Sequence, residues 1–442
     1  MLAASNIPTD EALPQLATIA NEAAMGGHFA THLDPGWELS RCRIREARYY
    51  PGAACLLAYH LTLASPSGEE TVITLFGRAF GAETVPEAFR ARPPLATAAG
   101  RLPSFLPQLG LALWIFPDDP GILGLASVWR RGGAHFDTPG VLVDPPWQGR
   151  RPGLETAIQS YVPAKRCILR YDRLDHANPE PFFGKVYANE DARALYAQMQ
   201  ELWRHSRGAA PELVLARPLG CDPRSNAVWQ SSPGGDPLLE VLGSIDLPAV
   251  MRRVAAALAA LHRADLHPAR VWSVADETAK LERARVALGR FYPALRRQID
   301  GVLGGLIAST PGEAARLVPV HGDFHCNQIL VQDDRVAVID FDLFGCGDPL
   351  HDVGRFLSRF RAYTHGKLDE AAVERAEANF LGTYEILVPW RVDRRRLEWL
   401  MAVLLVNRQA LKPVKKLSAG GPEPVATMLA EAQRIAMGRR LE

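Results

Sequence analysis

The chain has 442 residues, enough for two to four domains or subdomains. Hydrophobic residues make up 48% of it and charged residues 22%, which are typical values for a folded globular protein. The 50 lysines and arginines nearly balance the 49 aspartates and glutamates, and a net charge of +1 argues against a nucleic-acid partner.

The cysteines and the apolar segments bear on the compartment. Six cysteines are scattered along the chain without a close C-x-x-C pair, so we interpret them as free thiols. The N-terminal residues lack the basic start and apolar core of a secretory signal, and no apolar run reaches membrane-spanning length. We therefore expect no membrane partner and a cytoplasmic location.

Two segments of the N-terminal half are similar in sequence. Tyr50–Tyr59 and Tyr161–Tyr171 both predict a turn entering a strand. Each is followed by a second apolar segment, which contains Phe-Gly-Arg in Leu75–Phe80 and Phe-Gly-Lys in Phe183–Tyr187. Either a structural duplication or a chance likeness of two β-rich segments explains this similarity. Between them, residues 81–155 carry much proline and glycine and predict short strands and loops.

A helix is predicted next, from Asn189, which can cap it, to about Gly208. Two strand-like segments follow, Leu213–Pro218 and Ala227–Ser231. The turn Pro233–Pro237 is then interpreted as a hinge.

Beyond the hinge the chain is predicted to be mostly helical, starting with Val250–Leu266, which is rich in strong helix formers. A small β-rich lobe, a hinge and a larger helical lobe would leave a ligand cleft between the lobes.

The most informative segment is VHGDFHCNQILV at 320–331, followed by VAVIDFD at 336–342. It predicts a loop, a strand, a turn and a second strand. Because the turn places the strands side by side, Asp323 and Gln328 should lie near Asp340.

Such a cluster of oxygen ligands suits phosphoryl transfer, in which Mg²⁺ bridges the nucleotide phosphates and a further carboxylate orients the attacking hydroxyl. We assign Asp323 as the catalytic base or positioning group, Gln328 as a neutral metal ligand through its carbonyl oxygen, and Asp340 as the anionic metal ligand. His321 is expected to support the loop by hydrogen bonding. Taken separately, HGD could be a polar turn and IDFD a surface strand.

Together these motifs resemble the catalytic and metal-binding motifs of the aminoglycoside phosphotransferase and choline kinase superfamily, across HGDFHCNQIL and VIDFDLFGCGDPLHDVGRF. The resemblance implies ATP and Mg²⁺ as cofactors, Asp323 as the catalytic aspartate and Asp340 as the counterpart of the protein-kinase D-F-G aspartate. The family usually has Asn where Gln328 stands, and Gln also resembles the maltokinases. Asn327 lies one residue too early and is the less favoured ligand.

The resemblance also implies roles for later acidic residues. Asp352 would brace the catalytic loop through backbone hydrogen bonds. Asp348 could occupy one of the superfamily's acidic positions or simply cap a helix, and Asp342 could face either metal or substrate.

In the small lobe, Lys185 resembles the family's phosphate-binding lysine, with Glu201 as its expected partner, although helical phase places Glu201 opposite the apolar stripe. Adenine would bind backbone groups of Gln230, Ser231 and Ser232. Lys165 or Arg166 could touch phosphate, but their interpretation as solvated turn residues is favoured.

The expected fold is α+β, a bilobal protein-kinase-like fold with an extra N-terminal α/β cap domain. Residues 1–155 form this extension or a partial repeat of the next β unit, residues 156–240 the N-lobe and hinge, and residues 241–442 the C-lobe.

The predicted function is ATP-dependent transfer of the γ-phosphate to a hydroxyl of a small molecule, with a sugar or glycoside as the leading acceptor. An aminoglycoside is the alternative. Aminoglycosides are polycations, and the excess of 16 basic over 11 acidic residues within 351–442 argues against such an acceptor. A pseudokinase scaffold is the alternative from another class, opposed by the intact set of Lys185, Asp323, Gln328 and Asp340. The identity of the acceptor, the oligomeric state, the choice of ATP or GTP and the role of residues 1–155 stay open.

Overall fold

The computed structural model describes residues 7, 9–81, 85, 87–90, 92–130, 142–143, 154–173, 180–208, 210–417 and 422–438. The chain is a mixed α+β protein, which confirms the predicted class. The strands are β1 (Glu38–Tyr50), β2 (Ala54–Ala64), β3 (Glu70–Phe80), β4 (Leu95–Thr97), β5 (Gly100–Leu102), β6 (Phe105–Leu106), β7 (Leu111–Ile115), β8 (Leu142–Val143), β9 (Leu154–Val162), β10 (Arg166–Arg173), β11 (Phe182–Tyr187), β12 (Val214–Leu215), β13 (Pro218–Asp222), β14 (Ala227–Ser231), β15 (Asp236–Pro237), β16 (Val318–Val320), β17 (Ile329–Gln332), β18 (Arg335–Val338) and β19 (Gly345–Gly347).

The α-helices are α1 (Leu16–Ile19), α2 (Glu22–Ala30), α3 (Glu87–Arg90), α4 (Leu125–Arg130), α5 (Ala192–Gly208), α6 (Leu247–His262), α7 (Val274–Phe291), α8 (Arg296–Ala308), α9 (Pro349–Thr364), α10 (Glu370–Leu387), α11 (Arg394–Leu405), α12 (Lys412–Lys415) and α13 (Glu423–Ala436). A π-helical turn, Val406–Ala410, joins α11 to α12.

Two antiparallel sheets dominate the N-terminal half, and their strands follow the same order. The first sheet runs β1-β2-β3-β7-β6, and the second runs β9-β10-β11-β14-β13 with β8 added at its edge. Leu56 on β2 pairs with Arg78 on β3, and Ile168 on β10 pairs with Lys185 on β11. Phe-Gly-Arg and Phe-Gly-Lys therefore occupy the same register position in the two sheets.

A buried aspartate anchors each sheet in the same way. It accepts hydrogen bonds from the tyrosine near the end of the first strand and from an amide of the following turn: Asp10 from Tyr49 and Gly52, and Asp119 from Tyr161 and Ala164. The tyrosine hydroxyls lie 2.5 and 2.8 Å from their carboxylates. The two sheets thus share strand order, register and anchor.

Each sheet has its own hydrophobic core. Residues of α1 and α2, including Leu16 and Phe29, pack on the first sheet. Ile122, Leu125 and Val128 pack on the second sheet, with β10 and β11. The segment just after β7 therefore belongs with the second core.

Helix α5 connects β11 to the following strands, and its start differs from the prediction. The helix begins at Ala192, because Asp191 accepts hydrogen bonds from the amides of Arg193 and Ala194 and so caps it in place of Asn189. Its predicted end at Gly208 is confirmed.

The C-terminal half is built around a helical core with one short hairpin. Helix α6 starts at Leu247, earlier than predicted, because the Asp246 side chain caps it by accepting from the amide of Ala249. Strands β17 and β18 form the hairpin, and β15, within the predicted hinge, pairs with β17. The hinge therefore joins the second sheet to the β17–β18 hairpin. In the portion of the chain that the structure describes, no helix combines the length and apolar character needed to span a bilayer.

Candidate active site

The H-G-D loop is shaped by a glycine and braced by a buried carboxylate. Gly322 has a φ of 77°, and a Cβ there would lie 2.4 Å from the carbonyl oxygen of Leu343, so the tight turn requires glycine. The amides of His321 and Gly322 donate to the Asp352 carboxylate at 2.6 and 3.0 Å. Asp352 thereby fixes the backbone that leads into Asp323.

Asp352 is held in its charged form despite complete burial. Burial alone would raise its pKa, but interactions with the His262 and His351 rings lower the pKa below its usual value. The His262 Nε2 atom lies 3.3 Å from the carboxylate. The brace is therefore anionic at neutral pH, which strengthens its hydrogen bonds to the loop.

His321 links the loop to the β17–β18 hairpin. Its Nδ1 accepts from the amide of Asp323 at 3.2 Å, and its Nε2 donates to the carbonyl of Ile339 at 2.9 Å. Burial lowers the pKa of His321, which keeps the ring neutral with its proton on Nε2. The position of Asp323 is thus tied to that of Asp340 through one imidazole.

The hairpin brings Gln328 to Asp340. Ile329 pairs with Val338, so the residues just outside the hairpin face each other. The Gln328 Nε2 atom donates to Asp340 Oδ2 at 3.3 Å. Asp340 adopts a left-handed backbone with φ of 69°, which turns its carboxylate away from the strand direction.

Lys185 reaches this carboxylate from the second sheet. Its Nζ lies 2.6 Å from Asp340 Oδ1 and 2.9 Å from Asp342 Oδ1. Burial alone would lower the pKa of Lys185, but the two carboxylates raise it above the usual value, so the ammonium stays charged. Asp342 also accepts from the hydroxyl of Tyr187 at 2.9 Å, and so lies on the lysine side of the cleft.

Arg166 belongs to the same cluster, which corrects its interpretation as a solvated turn residue. Its Nη1 lies 2.5 Å from Asp342 Oδ2, and its Nη2 lies 3.4 Å from Asp340 Oδ2. The turn between β9 and β10 places it at the start of β10, beside Lys185 on the paired strand. Only that pairing brings it to the aspartates, so the sequence around Arg166 offered no signal.

Glu201 does not form the expected pair with Lys185 within the described part of the chain. It is exposed on α5, as its helical phase indicated, and the lysine instead binds Asp340 and Asp342. Gln198, three residues earlier on the inner face of α5, donates from Nε2 to the carbonyl of Phe341 at 3.2 Å. The helix therefore contacts the turn at Phe341 through a side-chain amide.

Asp323 lies next to Arg355, which the sequence analysis also missed. The Arg355 Nη2 atom contacts Asp323 Oδ1, and His325 Nε2 lies 3.6 Å from the same oxygen. Burial and the charge of Arg359 lower the pKa of His325 to about 3, so it is neutral. Arg355 follows Asp352 by three positions, and that helical spacing could have indicated a shared face.

The remaining predicted residues lie at the edges of the site. Asp348 caps α9 by accepting from the amide of Leu350 at 2.8 Å, and it also contacts Arg396. Gln230 lines a small cavity together with Lys185 and Asp340.

The hinge amides already have partners. The amide of Ser231 donates to the carbonyl of Arg217 at 2.9 Å, and that of Ser232 donates to the carbonyl of Pro181 at 3.2 Å. These two N–H groups are therefore not available to an adenine ring in this conformation.

The donor set around Asp340 consists of oxygen-bearing side chains. Among the described residues, no three His, Cys, Asp or Glu side chains form a metal-binding group. Asp340, Asp342 and the amide of Gln328 together offer hard oxygen donors, which suit Mg²⁺. The Lys185 ammonium lies against both carboxylates, so this corner already accommodates a positive charge.

A family model covers this part of the chain. The APH model, described as the phosphotransferase enzyme family, matches residues 170–390, half of the chain. The chain belongs to this family. It is therefore a phosphotransferase enzyme, and the matched segment contains Lys185, Asp323, Gln328, Asp340 and Asp352.

No curated protein matches the sequence. Solved structures resemble it partially. Macrolide 2'-phosphotransferase MphH from Brachybacterium faecium is 17% identical, with a TM-score of 0.39 over 65% of this chain and 93% of that one. Aminoglycoside phosphotransferase APH(4)-Ia, in a ternary complex with ADP and hygromycin B, is 18% identical, with a TM-score of 0.46 over 65% and 95%. A choline/ethanolamine kinase family protein from Mesorhizobium loti is 16% identical, with a TM-score of 0.42 over 66% and 89%.

Proposed function

We propose that this phosphotransferase transfers the γ-phosphate of ATP to a hydroxyl group of a small molecule, with a sugar or glycoside as the leading acceptor. The observation that carries the proposal is the contact of Lys185 Nζ with Asp340 at 2.6 Å, which joins the second sheet to the catalytic hairpin. A charged lysine and a metal-binding carboxylate at one point are what nucleotide phosphates require.

The architecture supports a bilobal, kinase-like interpretation. The second sheet with α5 would be the N-lobe, and the helical half with the hairpin would be the C-lobe. The first sheet would be a cap domain that partially repeats the N-lobe sheet. Because Ile122, Leu125 and Val128 pack on the second sheet, we place the boundary of the cap near Pro117 rather than at residue 155.

Mg²⁺ would be held by Asp340 and by Gln328, with Asp342 beside them. Gln328 now presents its Nε2 to Asp340, so metal binding would require the amide to rotate by half a turn and present Oε1. When bound, the ion would supply positive charge that neutralises the charge developing on the transferred phosphate. Lys185 and Arg166 would then be released in part from the aspartates to contact the phosphates.

Asp323 would orient the acceptor hydroxyl and accept its proton. The acceptor oxygen would form a bond to the γ-phosphorus while the bond from that phosphorus to the β–γ bridging oxygen breaks, which yields ADP and a phosphate ester. His321 and Asp352 would hold Asp323 in place throughout. Adenine would bind hinge carbonyl groups of Gln230, Ser231 or Ser232, because the Ser231 and Ser232 amides are engaged.

The acceptor assignment is the finer part of the proposal. Gln328 and the N-terminal extension both resemble maltokinases, which favours a sugar or glycoside over an aminoglycoside. We also place the enzyme in the cytoplasm, where ATP is available.

The test is ADP release from ATP and Mg²⁺ with a panel of neutral sugars, amino sugars, aminoglycosides and amino alcohols. We expect turnover with a sugar and its loss in Asp323→Asn, while the exposed helix cap variant Asp246→Asn keeps wild-type turnover. Equal, negligible turnover in wild type and Asp323→Asn across the panel would favour a scaffold instead. Much faster turnover of aminoglycosides than of sugars would refute the acceptor assignment alone.

A further inference from the structure

The surroundings of Asp323 are rich in positive charge. Arg355 contacts Asp323 but is only 3% exposed, and its Nε and Nη1 atoms have no hydrogen-bond partner among the described residues. Buried guanidinium nitrogens are normally paired, because leaving them unpaired is costly. An arginine in this state at the catalytic aspartate indicates a ligand that accepts hydrogen bonds.

Two further arginines act on Arg355, and two lysines act on those arginines. Burial and the charges of Arg408 and Arg359 lower the pKa of Arg355 well below its usual value. Burial together with Arg359 also lowers the pKa of Lys412, and burial together with Arg408 lowers that of Lys415. We call this set of five side chains the basic cluster: Arg355, Arg359, Arg408, Lys412 and Lys415.

The acidic groups near the basic cluster do not balance it. Asp323 contributes one negative charge at Arg355, Glu277 contributes a second, and Glu46 contributes a third near Lys412, against five positive charges. Glu277 is itself engaged, with Lys280 Nζ at 2.5 Å and Asn407 Nδ2 at 2.9 Å. Within the described residues the acceptor side of the site therefore keeps an excess of positive charge.

The first sheet helps to hold the basic cluster in place. Arg408 lies in the π-helical turn Val406–Ala410, a feature that often occurs at functional sites. Val414 and Leu417, which flank Lys415 and Lys416, pack into the core of the first sheet. Lys416 Nζ also binds Glu46 on β1 at 3.0 Å. The N-terminal extension thus anchors the segment that carries Arg408, Lys412 and Lys415.

We propose that the acceptor carries an anionic oxygen group, a carboxylate or a phosphate, which the basic cluster binds while Asp323 orients the hydroxyl. This inference rests on the proposed function and narrows its acceptor class. The nucleotide phosphates do not account for the cluster, because their expected cations, Lys185 and Arg166, lie instead at Asp340 and Asp342. The guanidinium groups suit bidentate binding of either anion.

The test measures binding, so it does not depend on turnover. Protein saturated with Mg²⁺ and AMP-PNP is titrated calorimetrically with glucose, glucuronate, glucose 6-phosphate, acetate and inorganic phosphate. We expect at least one class of anion to bind about tenfold more tightly than glucose, the size of one charge-assisted hydrogen bond. Tighter binding of acetate and glucuronate would identify a carboxylate, and tighter binding of phosphate and glucose 6-phosphate would identify a phosphate.

Variants locate the binding. Arg408→Gln and Lys412→Gln should each weaken anion binding about tenfold. Lys416→Gln removes the same charge from the same segment but at the Glu46 pair, and should leave anion binding unchanged. Equal binding of glucose and the anions, or equal weakening in all three variants, would overturn the inference. If only neutral sugars are turned over, the anionic acceptor is refuted and the proposed function stands. If anions bind but nothing is turned over, the proposed function is refuted and the anion site stands.

Discussion

The brace beneath the catalytic loop can be tested by Asp352→Asn. The carboxylate accepts from the His321 and Gly322 amides and interacts with His262. Asparagine keeps one oxygen but turns an NH₂ group toward a donor, which leaves one buried amide unpaired at about 1–3 kcal/mol. The change from charged to neutral acceptor removes about 1 kcal/mol more. We expect the free energy of unfolding to fall by about 2–4 kcal/mol.

Urea denaturation followed by circular dichroism measures this change. Asp246→Asn is the matched control, because Asp246 caps α6 at an exposed position where asparagine serves equally well. The pKa of Asp352 is lowered on folding, so its stabilisation is present above the unfolded value near 3.8 and is lost as pH falls through the folded pKa. The gap between wild type and Asp352→Asn should therefore narrow only in strong acid.

Activity provides the second readout. A displaced Asp323 should lower kcat about 100-fold, since a shift of about 1 Å has such an effect on positioned groups. The free energies of unfolding of Asp352→Asn and Asp246→Asn should therefore differ by more than about 1 kcal/mol. If they do not, and Asp352→Asn keeps wild-type kcat, the carboxylate does not brace the loop.

Three further outcomes are expected. Lys185→Met should lower kcat at least about 100-fold and raise the KM for ATP, measured by ADP release, because the cation at the paired aspartates is lost. Gly184→Ala should destabilise the protein by about 1–3 kcal/mol, since its Cβ would lie 2.8 Å from the Trp229 indole nitrogen, whereas Gly382→Ala, with open space around its Cβ, should not destabilise it. Burial alone would lower the pKa of His351, but neighbouring carboxylates raise it above 6.5. The protonated ring therefore stabilises the fold below pH 6.5, and this stabilisation is lost as pH rises through the folded pKa. Thermal melts should show that His351→Gln destabilises the protein more at pH 6 than at pH 8.5.

Sequence patterns predicted the β17–β18 hairpin because its geometry depends on residues that are close together in the chain. A short turn between two strands forces Gln328 toward Asp340, with a separation of 3.3 Å in the structure. The α+β class and the end of α5 followed from periodicity in the same way. The start of α5 was placed too early, because Asp191 and Asn189 are both capable caps and only the folded backbone selects between them.

The sequence did not predict which charged side chains pair with each other. Arg166 reaches Asp342 across 176 positions, and Arg355 reaches Asp323 across a loop and a helix. Glu201 fitted the expected spacing from Lys185 but faces away from the cleft. Whether a charge is solvated or paired depends on which elements pack beside it.

The sequence by itself determined which family the chain resembles, because the H-G-D loop, the I-D-F-D hairpin and the lysine strand are short segments recognised by their residue types and spacing. Only the tertiary structure decided how those segments are arranged. Packing of the first sheet against Val414 and Leu417 anchors a basic segment whose Arg408 and Lys412 lie among the cations around Asp323. Electrostatic interactions act through space, so residues hundreds of positions apart set the charge of one site.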